Sequence, residues 1–221
     1  MMRSSSLRRF ATLSASVGWL ALAAQFYLSV QLGIANGNGV LGGVVAYFSY
    51  FTILTNGLVA IALTAAALPD STTPTWLAFF RRPGVVTAIA ASIIVVGSVY
   101  FLILRHIWEP QGLQWLADVL LHYVMPPLFW VYWWWAVPKQ ALHPTAITRW
   151  MAYPLGYAVY ALGIGAIRGR YPYPFIDVIA LGYPRVLVNS AAILAVFGLV
   201  CLAMILLGRL DRRSRRSFRL G

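Results

Sequence analysis

A chain of 221 residues that is 61% hydrophobic and only 10% charged, with a mean hydropathy of +0.75, falls in the membrane class rather than among soluble domains. Its 17 Lys and Arg against 5 Asp and Glu give a formal charge of +12, which in a soluble chain would point to nucleic acid. Here the basic residues gather at the ends of apolar segments, where membrane orientation accounts for them, and no nucleic-acid partner is expected. The one cysteine, Cys201, excludes an intramolecular disulfide and a cysteine metal cluster and reads as a packing residue.

Crossing a bilayer takes about 20 apolar residues. The apolar run at 10–35 is too long for a cleaved signal, whose core has about 7–15 residues, and is expected to be the first transmembrane helix. A turn cluster, NGNG at 36–39, leads into a second span at 41–68. Within that span YFSYFTILTN, residues 47–56, carries Ser49, Thr52, Thr55 and Asn56. PDSTTP at 69–74 ends it, and RRPG at 81–84 puts Pro83 where a third helix, 84–104, begins. The fourth, 113–136, contains Asp118 and His122 and closes on VYWWWAV, which reads as an interfacial tryptophan anchor. VPKQALHP separates it from the fifth, 147–167; IRGRYPYPFIDV, 167–178, leads to the sixth, 184–208, and a basic tail, 209–221.

The expected fold is all-α: a polytopic integral membrane protein, one six-helix transmembrane bundle with no soluble domain. Arg3, Arg8, Arg9, Arg81, Arg82, Lys139, Arg149 and the tail arginines lie on one side, against Arg105, Arg168, Arg170 and Arg185 on the other. The positive-inside rule places both termini in the cytoplasm, with the tail resting on anionic lipid.

On a continuous second helix, Ser49, Thr52 and Asn56 share one face, and Thr52 lies about 15 Å below the outer end. His122 comes out at a similar depth on the fourth helix, about 14 Å down by the same rise. Ionisable groups at such depths are costly, and usually face the bundle interior. Asp118 and His122, one turn apart, can pair: the carboxylate holds one ring nitrogen and leaves the other to act as a base toward a hydroxyl. Thr and Asn also bond across membrane helices simply to pack them, so Thr52 has a structural reading beside the chemical one. The outer segment likewise has two readings. It is an interfacial loop, or a lid over the outer mouth in which Arg168 or Arg170 meets a substrate carboxylate, joined by Tyr173, Asp177, Arg185 and Asn189.

FTILTN with Thr52 and Asn56, LLHYVMPP with His122, and YPYPFID, taken in that order, resemble the androgen-induced membrane proteins and their bacterial relatives. Animal members carry an amide of Gln type after the Thr where this chain has Asn56, and the basic tail has no counterpart. The resemblance implies a multi-helix bundle that hydrolyses fatty acid esters of hydroxy fatty acids through an intramembrane Thr nucleophile and a His, in a bacterial cytoplasmic membrane. On that reading Thr52 attacks, His122 carries the proton, Asp118 orients the ring, and Asn56 or Ser49 donates to the oxyanion. Arg168, Arg170 or Arg185 holds a free carboxylate, the acyl chains lie in the bundle, and no cofactor or metal is required. A water-accessible cavity between the second and fourth helices is expected. The rival is a non-enzymatic lipid-binding protein or small transporter, using the same polar groups for a ligand or a proton.

Overall fold

The computed structural model describes residues 4–217, with side chains from 5 to 209. Arg3 and the tail arginines from Arg212 onward therefore lie outside the described side chains. Every element is helical, and there is no strand among the described residues. Helix α1 (Ser4–Ala35) turns through Gly37 and Gly39, both at positive φ, into α2 (Gly39–Ser49) and then α3 (Phe51–Ala67). A short α4 (Thr75–Ala78) precedes α5 (Pro83–Leu102), whose first residue is the expected proline. Then come α6 (Gly112–Val119), a π-helical turn (Leu120–Val124) and α7 (Met125–Ala136). After α8 (Ile147–Trp150) and α9 (Ala152–Arg168), Gly169 ends the helix at φ 63°, where a side chain would be strained. The last element, α10 (Val178–Ser217), is bent at Gly182, φ 71° and ψ 157°, just before Pro184.

Among the described residues, four helices are long and apolar enough to cross a membrane, Ser5–Ala35, Pro83–His106, Pro144–Arg168 and Val178–Arg209. The count rises to five if α2 and α3 form one bent crossing. Two of the six expected spans are not regular α-helices from end to end. The expected second span breaks at Tyr50 (φ −88°, ψ 130°), where α2 and α3 meet at 74°. The expected fourth is divided by the π turn into pieces of 8 and 12 helical residues. Large side chains on the outside, such as Leu13, Leu20, Leu41, Ile167 and Ile179, form the apolar exterior that suits lipid.

The break at Tyr50 survives because other elements take its backbone groups. In an apolar medium an unpaired carbonyl or amide costs several kcal/mol, roughly, so a broken helix needs partners. Tyr157 of α9 donates to Ser49 O (3.0 Å), and Tyr160 to Phe48 O (3.3 Å). At the start of α3 the Thr52 amide donates to the Tyr173 hydroxyl (3.3 Å). The run of aromatic and hydroxyl residues around the break has only modest helix propensity, so tertiary contacts decide its path.

Close packing sets the rest. A Cβ on Gly43 would sit 2.5 Å from Ser29 O, and one on Gly33 2.6 Å from Gly43 N, so α1 and α2 touch backbone to backbone there. Gly39, four residues before Gly43, meets open space and serves the turn instead. The C-terminal end of α3 is capped by Arg8, which donates to Ala67 O (3.2 Å), and by Arg81, which donates to Ala65 O (2.8 Å) and Leu68 O (2.7 Å) and pairs with Asp70. Lys139 closes α7 in the same way on the Trp134 and Val137 carbonyls (2.7 and 2.8 Å). The tryptophan run is not simply interfacial. Trp133 is fully buried and donates to Thr87 Oγ1 (2.9 Å), because its face of α7 packs on α5, while Trp135 is exposed. Cys201 is buried in the same core.

Candidate functional site

The break at Tyr50 puts Thr52 in the first turn of α3, not mid-helix. There its amide points out of the helix, at the positive end of the helix dipole. Thr52 Oγ1 lies 3.3 Å from His122 Nε2. The other ring nitrogen, Nδ1, lies 3.0 Å from the Asp118 carbonyl and 3.2 Å from its Oδ1. Both of these neighbours accept, so in the neutral ring the proton belongs on Nδ1. Nε2 is then a bare acceptor facing the Thr52 hydroxyl.

The π turn makes this possible. Pro126 and Pro127 have no N–H to return to the carbonyls four residues earlier, those of His122 and Tyr123, and the wider turn just before them absorbs the mismatch. Gly97 of α5 accommodates the resulting bulge, since a Cβ there would lie 3.2 Å from Pro126. Asn56 fastens α3 to the turn, donating to Thr52 O (2.9 Å) and Leu121 O (3.3 Å). Its Oδ1 is buried with no protein partner.

Three tyrosines complete the surroundings. Tyr100 of α5 donates its hydroxyl to Asp118 Oδ2, while its ring stacks on the imidazole, centroids 3.9 Å apart and planes 16° apart. Tyr173, from the segment between α9 and α10, lies 3.4 Å from Thr52 Oγ1 as well as accepting from its amide. Burial pushes the Tyr173 phenol above its ordinary value, so it stays a neutral hydroxyl able to donate. Tyr153 meets Thr55 Oγ1 (3.0 Å), a packing bond beside the site. Sequence reasoning passed over Tyr100 altogether. Nothing local marks it, since its partner lies 18 residues away on another helix.

The expected oxyanion donors do not stand where they were placed. Both protons of the Asn56 amide are committed to carbonyls, and Ser49, on the far side of the break, donates back to Ala46 O (2.6 Å). The donors near Thr52 are its own amide and Tyr173.

The segment between α9 and α10 folds over the site. Tyr173, Phe175 and Ile176 line a cavity of about 80 Å³ together with Phe51 and Thr52 of α3, Val95, Val96 and Val99 of α5, Pro154, Tyr157 and Ala158 of α9, and Ser190, Ile193, Leu194 and Phe197 of α10. Ser190 Oγ is buried there without a protein partner. The cavity thus lies toward α5, α9 and α10 instead of between the expected second and fourth spans, because the bend at Tyr50 turns the start of α3 toward α9. Asn189 holds the cover, donating to Phe175 O (2.9 Å), and Asp177 caps the start of α10 by accepting from the Ile179 and Ala180 amides (2.9 and 3.2 Å). Arg168 donates to Gly42 O (3.3 Å), Arg170 and Arg185 are exposed, and none of the three lines the cavity.

A second recess, a groove of about 580 Å³, opens on the other side of the pair and is lined by His122 with residues of α5 and α7. Among the described residues no three His, Cys, Asp or Glu side chains come together as a metal set. Comparison with models of protein families, with characterised proteins and with solved structures finds no match to the chain.

Proposed function

We propose that this protein is an integral membrane hydrolase of lipid esters in which Thr52 is the nucleophile. The observation that carries this reading is the 3.3 Å contact of Thr52 Oγ1 with a His122 nitrogen whose opposite nitrogen is held by Asp118. A hydroxyl, a base and an orienting carboxylate in that order form the constellation of acyl-transfer enzymes, recognised by geometry instead of by fold. Thr52 Oγ attacks the ester carbonyl as its proton passes to His122 Nε2. The imidazolium is stabilised by Asp118, which Tyr100 holds in place. As the oxyanion forms it takes over the Thr52 amide's hydrogen bond from the Tyr173 hydroxyl, which turns its own proton to the same oxygen, an arrangement worth about 2.7–4 kcal/mol per donor where measured. His122 then protonates the leaving alkoxide, and water, deprotonated by the same histidine, releases the acid.

The substrate class we propose, fatty acyl esters including those of hydroxy fatty acids, follows from the resemblance in FTILTN, LLHYVMPP and YPYPFID and from the apolar cavity at Thr52. We further propose six crossings with both termini cytoplasmic in a bacterial inner membrane: α1, the bent α2–α3 pair, α5, the interrupted 112–136 stretch, α9 and α10. The arginine asymmetry supports that orientation.

Incubation with a fluorophosphonate probe tests the reading. Labelling is expected in the unaltered chain and in Cys201→Ala, and is expected to vanish in Thr52→Ala and His122→Ala. Labelling that persists in Thr52→Ala removes it from the nucleophile's role. A chain that takes no label but binds fatty acyl esters is the lipid-binding protein instead.

A further inference from the structure

The two recesses reach the candidate pair through different members of it. The cavity of about 80 Å³ has Thr52 in its wall and not His122. The groove of about 580 Å³ has His122 in its wall and not Thr52, and continues along Gly97, Ser98, Phe101 and Pro126. Acyl transfer is asymmetric in the same sense. The acid chain becomes bonded to the nucleophile's oxygen, whereas the leaving alkoxide must lie within reach of the imidazolium that protonates it.

Resting on the hydrolase reading, we propose that the ester binds in one direction: its acid chain in the covered cavity at Thr52 and its alcohol chain in the groove at His122. In the first half-reaction the Thr52 Oγ–acyl carbon bond forms and the acyl carbon–alkoxy oxygen bond breaks. The Thr52 proton travels through Nε2 to that alkoxy oxygen. The alcohol departs along the groove while the acid chain stays in the cavity as the acyl-threonine. Water, drawn to the face that the alcohol has left, gives a proton to Nε2 and its hydroxide to the acyl carbon. The Thr52 oxygen recovers the proton and the acid is freed. The more enclosed cavity makes the acid side the selective one; the more open groove makes the alcohol side permissive.

The test uses the full chain in detergent and two ester series. In one, p-nitrophenyl esters run from acetate to palmitate; in the other, acetates run from ethyl to hexadecyl, with release of acetate as the readout. Ala158→Trp fills the cavity, and Ser98→Trp fills the groove. Ala158→Trp is expected to lower the palmitate-to-acetate rate ratio by about tenfold or more and leave the hexadecyl-to-ethyl ratio where it was, and Ser98→Trp to do the reverse. Leu194→Ala, which widens the cavity, is expected to raise the palmitate-to-acetate ratio, and keeps the assignment testable if a Trp variant fails to fold. Esters that are hydrolysed with both ratios moving together, or with the pattern exchanged, overturn the orientation alone. A chain that hydrolyses neither series overturns the hydrolase reading and the orientation with it.

Discussion

At the residue scale, the candidate site depends on hydroxyls whose partners are distant in sequence. Tyr100→Phe keeps the ring stacked on His122 but removes the donor to Asp118 Oδ2. The expected result is fluorophosphonate labelling slowed by about tenfold, with a stability loss of about 1–3 kcal/mol from the unsatisfied carboxylate oxygen. A variant that loses stability but labels at the original rate would make Tyr100 a packing residue. Tyr173→Phe removes a proposed oxyanion donor and is expected to slow ester hydrolysis by about 100-fold. Rates on a fast ester before and after the change measure it directly. Asn56→Ala removes the side-chain donor that ties α3 to the Leu121 carbonyl and the second donor to Thr52 O, and is expected to lower stability by about 1–3 kcal/mol, read from thermal unfolding in detergent.

At the scale of elements, two interruptions create the site: the break between α2 and α3, and the π turn before α7. Only the second was marked, by Pro126 and Pro127. The first has neither Gly nor Pro at Tyr50, and its stability comes from Tyr157, Tyr160 and Tyr173, more than 100 residues away along the chain. Tyr157→Phe is therefore expected to weaken the break without touching Thr52, by about 1–3 kcal/mol, the cost of an unpaired buried carbonyl. The α1–α2 contact allows a paired comparison. Gly43→Ala forces a methyl against the Ser29 carbonyl and is expected to destabilise by about 1–3 kcal/mol. Gly57→Ala, in open space within α3, is expected to stabilise by about 0.5–1 kcal/mol. Equal melting temperatures for the two variants would contradict the close crossing.

For the whole molecule the proposal is an orientation. With Cys201 replaced by Ser, a cysteine at Glu109 lies in the loop between α5 and α6, and one at Ser71 in the loop between α3 and α4; both positions are exposed. In intact cells, a membrane-impermeant maleimide is expected to label Glu109→Cys and to leave Ser71→Cys unlabelled until the membrane is opened. The reverse pattern would invert the bundle. The capping of α3 by Arg8 and Arg81 shows that these cations serve the fold, whichever side of a membrane they face.

Composition pointed to the membrane class, because a chain this apolar and this poor in charge carries more apolar surface than a small fold can hide from water, and the structure has helices long and apolar enough to match. The spacing of Asp118 and His122 determined that they could pair, since four residues is one helical turn, and FTILTN marked Thr52 as the hydroxyl to look for. Only the tertiary structure decided that α3 begins at Phe51, that Tyr100 and Tyr173 supply the flanking hydroxyls, and that the cavity lies toward α9 and α10. The physical reason is common to all three. Helical periodicity reports neighbours within a few residues, whereas a broken helix and a buried carboxylate are held by partners from other helices, whose approach no local pattern encodes.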